Sequence, residues 1–147
     1  MIVNPLHEHS WAFPLLEWIH IAGIAGGVGT IAVMNLRLLG LALTQNSAAR
    51  LWNDLMPWTA GGLTVAIFSG LGLFSIDPEM YFSSDIFRVK MLVLVAAMVF
   101  HYTMVRRAAA AKVERGKGCA VAWVSLTLWA MVPAGGIFLG FFDAGGI

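Results

Sequence analysis

Four apolar stretches, about residues 14–43, 56–76, 87–107 and 119–142, divide a chain of 147 residues. A helix needs about 20 apolar residues to cross the hydrocarbon of a bilayer, and each stretch is long enough. Inside lipid every backbone polar group must be satisfied within the protein, which leaves helices for segments of this length. Only 12% of the residues are charged and the mean hydropathy is +0.80, whereas a soluble domain carries about a quarter charged residues. The chain is therefore expected to be all-α: one integral membrane domain over residues 1–147, a four-helix bundle running up-down-up-down in contact with the lipid bilayer. The net charge of +1 implies no nucleic-acid partner. A single cysteine, Cys119, excludes an internal disulfide and a multi-cysteine metal site; it reads as small apolar filler at a helix start.

The breaks have local causes. Thr44-Gln45-Asn46-Ser47 ends the first helix and Asp77-Pro78 the second. Ser83-Ser84-Asp85 supplies an N-cap for the third, because a short polar side chain accepts from free backbone N–H groups. Glu114 to Gly118 is a basic turn, and Pro133 should kink the fourth helix. Small residues recur: Gly23 and Gly27 in GxxxG spacing, then Gly61, Gly62, Gly70, Gly135, Gly136 and Gly140. Such residues let helices approach closely in lipid, and they leave room for a flat cofactor.

Charge sets the orientation. Arg106, Arg107, Lys112, Arg115 and Lys117 crowd the third connection, and Arg37 and Arg50 flank the first. Glu8, Glu17, Asp77, Glu79, Asp85 and Asp143 gather at the other end. The positive-inside rule then puts both termini outside. Trp11, Trp18, Trp52, Trp58 and Tyr81 read as interfacial belts.

The chemistry-bearing residues are few. His20 and Lys90 each lie within an apolar run, and an ionisable group at that depth is by default a functional site. With Trp18 and Phe87 as outer boundaries, their depths differ by about 1.5 Å, whereas His101 lies about 18 Å deeper. One haem cannot be clamped by His20 and His101 of the same chain. His20 can serve as an axial ligand to haem iron; the alternative is a hydrogen bond to a neighbouring helix. Lys90 can pair with a propionate, act neutral as a ligand or proton carrier, or snorkel to the interface. His101 marks a second, inner haem site, or bonds to a carbonyl, or sits at the interface. Arg37 is a further candidate contact for a cofactor, or snorkels, or pairs with Asp54. His7 and His9 alternate around Glu8 in a pattern that binds copper or zinc. Glu17 and His20 form one Glu-x-x-His pair, and a di-iron site needs two. The methionines are dispersed and read as core filler.

The string Asn35-Leu36-Arg37-Leu38-Leu39-Gly40 resembles the "DLRLLG" pattern of a family of uncharacterised bacterial four-helix membrane proteins, with Asn35 in place of the acid. Asp77-Pro78, Tyr81 and Phe87 to Met91 resemble its "DP..Y…F..K" element, and Trp129 with Gly136 to Phe142 its ending. More distantly, Trp18-Ile19-His20 and Lys90 with His101 are similar to elements of HemJ-type protoporphyrinogen oxidases and of copper-resistance D membrane domains. The HemJ resemblance implies haem b, with His20 as ligand and Lys90 as its functional partner, and an oxidoreductase if the chain is an enzyme. The bacterial resemblance implies the inner (cytoplasmic) membrane. The leading expectation is haem b (porphyrin) binding for electron transfer or redox chemistry. Copper handling through His7, His9 and His20 is a second reading. A non-catalytic subunit of a larger membrane complex is a third, and a homodimer is compatible with each.

Overall fold

Each long helix begins and ends for a reason that the polar residues supply. The computed structural model describes residues 11–110 and 115–142. Helix α1, Ala12–Leu39, stops where Gly40 adopts a left-handed conformation (φ 75°), open to glycine because it lacks Cβ. Helix α2, Ala48–Ile76, starts behind Ser47, whose hydroxyl accepts from the Arg50 amide at 3.2 Å. A short helix α3, Pro78–Ser83, follows Asp77, whose carboxylate accepts from the Met80 amide. Ser84 then caps α4, Asp85–Phe100, by accepting from the Phe87 amide at 3.1 Å. The span continues through a π-helical turn, His101–Val105, into α5, Arg106–Ala110. Helix α6, Arg115–Phe142, passes through Pro133 without interruption.

Four of these segments are long and apolar enough to cross a membrane: Ala12–Leu39, Ala48–Ile76, Asp85–Ala110 and Lys117–Phe141. The chain is an all-helical four-helix membrane bundle. Even crossings place both ends on one side; we call that side outer, following the charge argument. Trp18, Phe68, Leu92, Trp123, Phe141 and many other large apolar side chains face outward, as lipid contact requires.

Several boundaries differ from the sequence expectation. Helix α2 begins eight residues earlier than expected, because a capped, amphipathic first turn buries Leu51 and Trp52 while Asn53 and Asp54 face out. Trp52 is thus 9% exposed and part of the core, where an interfacial belt residue was expected. Trp11, Trp18 and Trp58 are exposed. Among the methionines, Met34 is core, but Met91, Met104 and Met131 face outward.

Helix α1 packs most closely on α2, α4 packs on α6, and α1 also meets α6. Helices α2 and α4 have little backbone contact along their length. Apolar side chains form two clusters. The inner one joins Met34, Leu51, Trp52, Val105 and Ala109. The central one joins Ile31, Leu63, Ala97 and Trp129. At the outer end Phe74 of α2 packs on Tyr81, Phe82 and Phe87, with centroids 5.0–5.8 Å apart. Between the central cluster and this aromatic cap lie His20, Ser69 and Lys90.

Candidate functional site in the outer half of the bundle

His20 follows Leu16 and precedes Gly23 and Gly27 on the α1 face turned to α2. Its Nδ1 lies 2.8 Å from the Ala66 carbonyl oxygen and 3.2 Å from the Ser69 hydroxyl. A carbonyl oxygen only accepts, so Nδ1 carries the proton and donates. The Ser69 hydroxyl, in turn, donates to the Val65 carbonyl at 2.6 Å. The free lone pair of His20 is then on Nε2, and no described residue hydrogen-bonds to it. Orientation of a ring by Nδ1–H···O=C is the usual preparation of a histidine for ligation through Nε2. Gly70 makes the posture possible: a Cβ there would lie 3.0 Å from His20 Cε1.

Lys90 enters from the opposite wall. It shares the inward stripe of the third span with Ala97 and His101, seven and eleven residues on, spacings that keep one helix face. Its stem crosses Gly135, where a Cβ would come within 3.3 Å, and Nζ approaches Gly136, at 3.2 Å from the corresponding position. The ammonium has neither an acceptor nor a counter-ion among the described residues. A mostly apolar groove of about 610 Å³, lined by Ile86, Val89, Val93, Met131, Ala134 and Phe138, opens beside it between α4 and α6. The neighbouring cation Arg88 is engaged locally, by the Asp85 carboxylate at 3.0 Å and the Phe82 carbonyl at 2.9 Å.

The other candidates stand apart. His101 is 2% exposed and enclosed by Trp52, Tyr102 and Trp129, at centroid distances of 4.9, 5.3 and 6.4 Å. On α2 its neighbour Trp52 is about 21 Å from Ala66, the neighbour of His20, so the two histidines occupy separate levels. Arg37 donates from Nε to the Asn46 carbonyl at 2.8 Å. It does not pair with Asp54, which faces Arg50 at 3.9 Å. The reason is the chain reversal at Gly40, which folds residues 41–46 back over the end of α1. His7 and His9 lie outside the described residues. Among the described residues no three His, Cys, Asp or Glu side chains converge. Cys119 is a half-buried free thiol, its Sγ 4.0 Å from the Leu38 carbonyl.

Sequence reasoning did not single out Ala66 and Ser69, the partners that fix the His20 tautomer. A backbone carbonyl has no sequence signature, and a serine in an apolar run ordinarily bonds to its own helix. Comparison with protein families, with curated proteins and with solved structures finds nothing that matches this chain.

Proposed function

We propose that this membrane protein binds haem b, or a related porphyrin, in the outer half of its bundle and serves electron transfer or redox chemistry. The observation that carries this reading is the His20 tautomer. Nδ1 is committed to the Ala66 carbonyl, which leaves the Nε2 lone pair free for a ligand. The donor set suits the group: one oriented imidazole and one unpaired ammonium for an acidic substituent. A bound haem would supply a one-electron couple in an apolar setting. His20 holds the metal side of the site, Lys90 neutralises and orients the acidic edge, and the Phe74, Tyr81 and Phe87 rings limit water entry from the outer surface. The motif resemblance to HemJ-type proteins supports the same two residues. The resemblance to bacterial four-helix membrane proteins favours the bacterial inner membrane, and the charge distribution favours both termini outside.

The test is absorption spectroscopy of the protein purified in mild detergent, oxidised and then reduced with dithionite. A Soret band with sharp reduced α and β bands is expected. A featureless visible region, persisting after haem is supplied during expression, would refute the reading.

A further inference from the structure

Three buried side-chain atoms among the described residues have no hydrogen-bond partner: Asn35 Oδ1, His101 Nδ1 and Trp129 Nε1. All three belong to one neighbourhood in the inner half of the bundle. Asn35 of α1 is fully buried and donates from Nδ2 to the Ile31 carbonyl at 2.9 Å and to the Ser125 hydroxyl at 3.0 Å. The Ile31 bond fixes the amide orientation, because a carbonyl must face the NH2 group, so Oδ1 is an acceptor. Ser125 and Trp129 are one turn apart on α6, a rise of about 6 Å. Trp129 meets the His101 ring edge-on at 89°. His101 opens the π-helical turn, a local widening of the helix that frequently marks functional positions.

An unpaired polar atom in an apolar interior is costly, so each of the three needs a partner. The chemistry of the atoms selects it. Asn35 Oδ1 needs a donor, and the Trp129 indole N–H needs an acceptor. Neutral His101 takes either role at Nδ1, according to its tautomer. A cation would face the indole N–H, and an anion would face the amide oxygen. A molecule with two donors and two acceptors meets every requirement.

We propose that Asn35, His101 and Trp129 form an internal hydration site, holding ordered water at the π-turn and tying α1, the third span and α6 together. Buried waters of this kind make about three hydrogen bonds each to otherwise unsatisfied groups. A partly polar groove on the inner side lies next to the site. It is lined by Trp52, Asn53, Met56, Tyr102 and Arg106, and the Trp52 ring is tilted against His101. The site is independent of the haem reading, which concerns the outer half.

The test uses the full chain in detergent, labelled with 15N at the tryptophan indoles, with the Trp129 signal assigned through Trp129→Phe. A cross-peak from the Trp129 indole proton to long-lived water is expected, and Asn35→Leu should abolish or weaken it. Thermal unfolding provides the second measurement. If water satisfies the three atoms, His101→Phe removes a member of a satisfied network and lowers Tm by several degrees. If the pocket is dry, His101→Phe removes an unsatisfied group and raises Tm, whereas Asn35→Leu also removes the bonds to Ile31 and Ser125 and serves the water measurement alone. Absence of the water cross-peak, or a rise in Tm for His101→Phe, would overturn the proposal.

Discussion

Gly62 and Gly27 meet backbone to backbone, and a Cβ added to Gly62 would overlap the Gly27 amide nitrogen. The contact extends along the α1–α2 seam. A Cβ at Gly23 would lie 2.6 Å from the Ala66 amide nitrogen, and one at Gly27 would lie 2.9 Å from that of Leu63. Backbone cannot rotate aside, so Gly62→Ala must separate the helices. Overpacking of this kind costs about 1–3 kcal/mol, and it draws Ala66 away from His20. Gly61, one residue earlier, has open space at its Cβ position. Gly61→Ala should therefore be neutral or stabilising, by up to about 1 kcal/mol from helix propensity. Thermal unfolding of the two variants in detergent checks this; equal Tm values would show that the close seam does not exist.

His20→Ala should remove any Soret band outright. Gly70→Val is the more discriminating variant. It keeps the imidazole but places bulk where the ring now lies, since even a Cβ would be 3.0 Å from Cε1. The expected result is a folded protein with lost or shifted haem absorption. Gly29→Val, at a position with nothing within 4 Å, should leave the spectrum unchanged. Identical spectra for Gly70→Val and the parent would show that the posture of His20 against α2 is irrelevant to binding.

The sequence already carries the number of spans, their approximate depth and the separation of His20 from His101, because hydropathy and helical rise are additive along the chain. It does not carry the facing partners. His20 turns to a backbone carbonyl of α2, and nothing in Ala66 announces that role. Trp52 looks interfacial because Asn53 and Asp54 follow it, yet the capped first turn of α2 rotates it inward onto His101. The π-turn at His101–Val105 has no local signature of its own. The Arg37 acceptor is hidden for a similar reason: it is the main chain of the turn beyond Gly40 rather than Asp54.

Lys90 separates binding from stability. Its ammonium has no counter-ion among the described residues and lies against Gly136 in an apolar setting. Lys90→Met keeps the stem volume and removes the charge. Unfolding should shift to higher temperature, because an uncompensated charge within a membrane span is unfavourable, by about 2.5–3.5 kcal/mol at the span centre and by less at the depth of Lys90 near its end. Haem retention should weaken at the same time. Truncating one member of a desolvated charge pair costs about 2 kcal/mol or more, roughly thirtyfold in affinity. A haem titration of the variant that matches the parent would remove Lys90 from the site.

Tyr81 gives the outer cap a pH dependence. It lies on α3, outside the membrane spans, between Phe74 and Phe87. Burial pushes its phenol above the ordinary value, and the negative charges of Asp77 and Glu17 push in the same direction. The neutral phenol is therefore favoured in the folded state relative to the unfolded chain. Stability from this group is complete below the unfolded pKa of about 10 and is lost as pH rises from there through the higher folded value. Between pH 9 and 11 the parent should lose Tm, and Tyr81→Phe should lose less over the same interval. Tyrosinate absorbance offers an independent reading, since the chain has only two tyrosines, Tyr81 and Tyr102. Parallel Tm profiles for parent and variant would show that ionisation of Tyr81 does not open the cap.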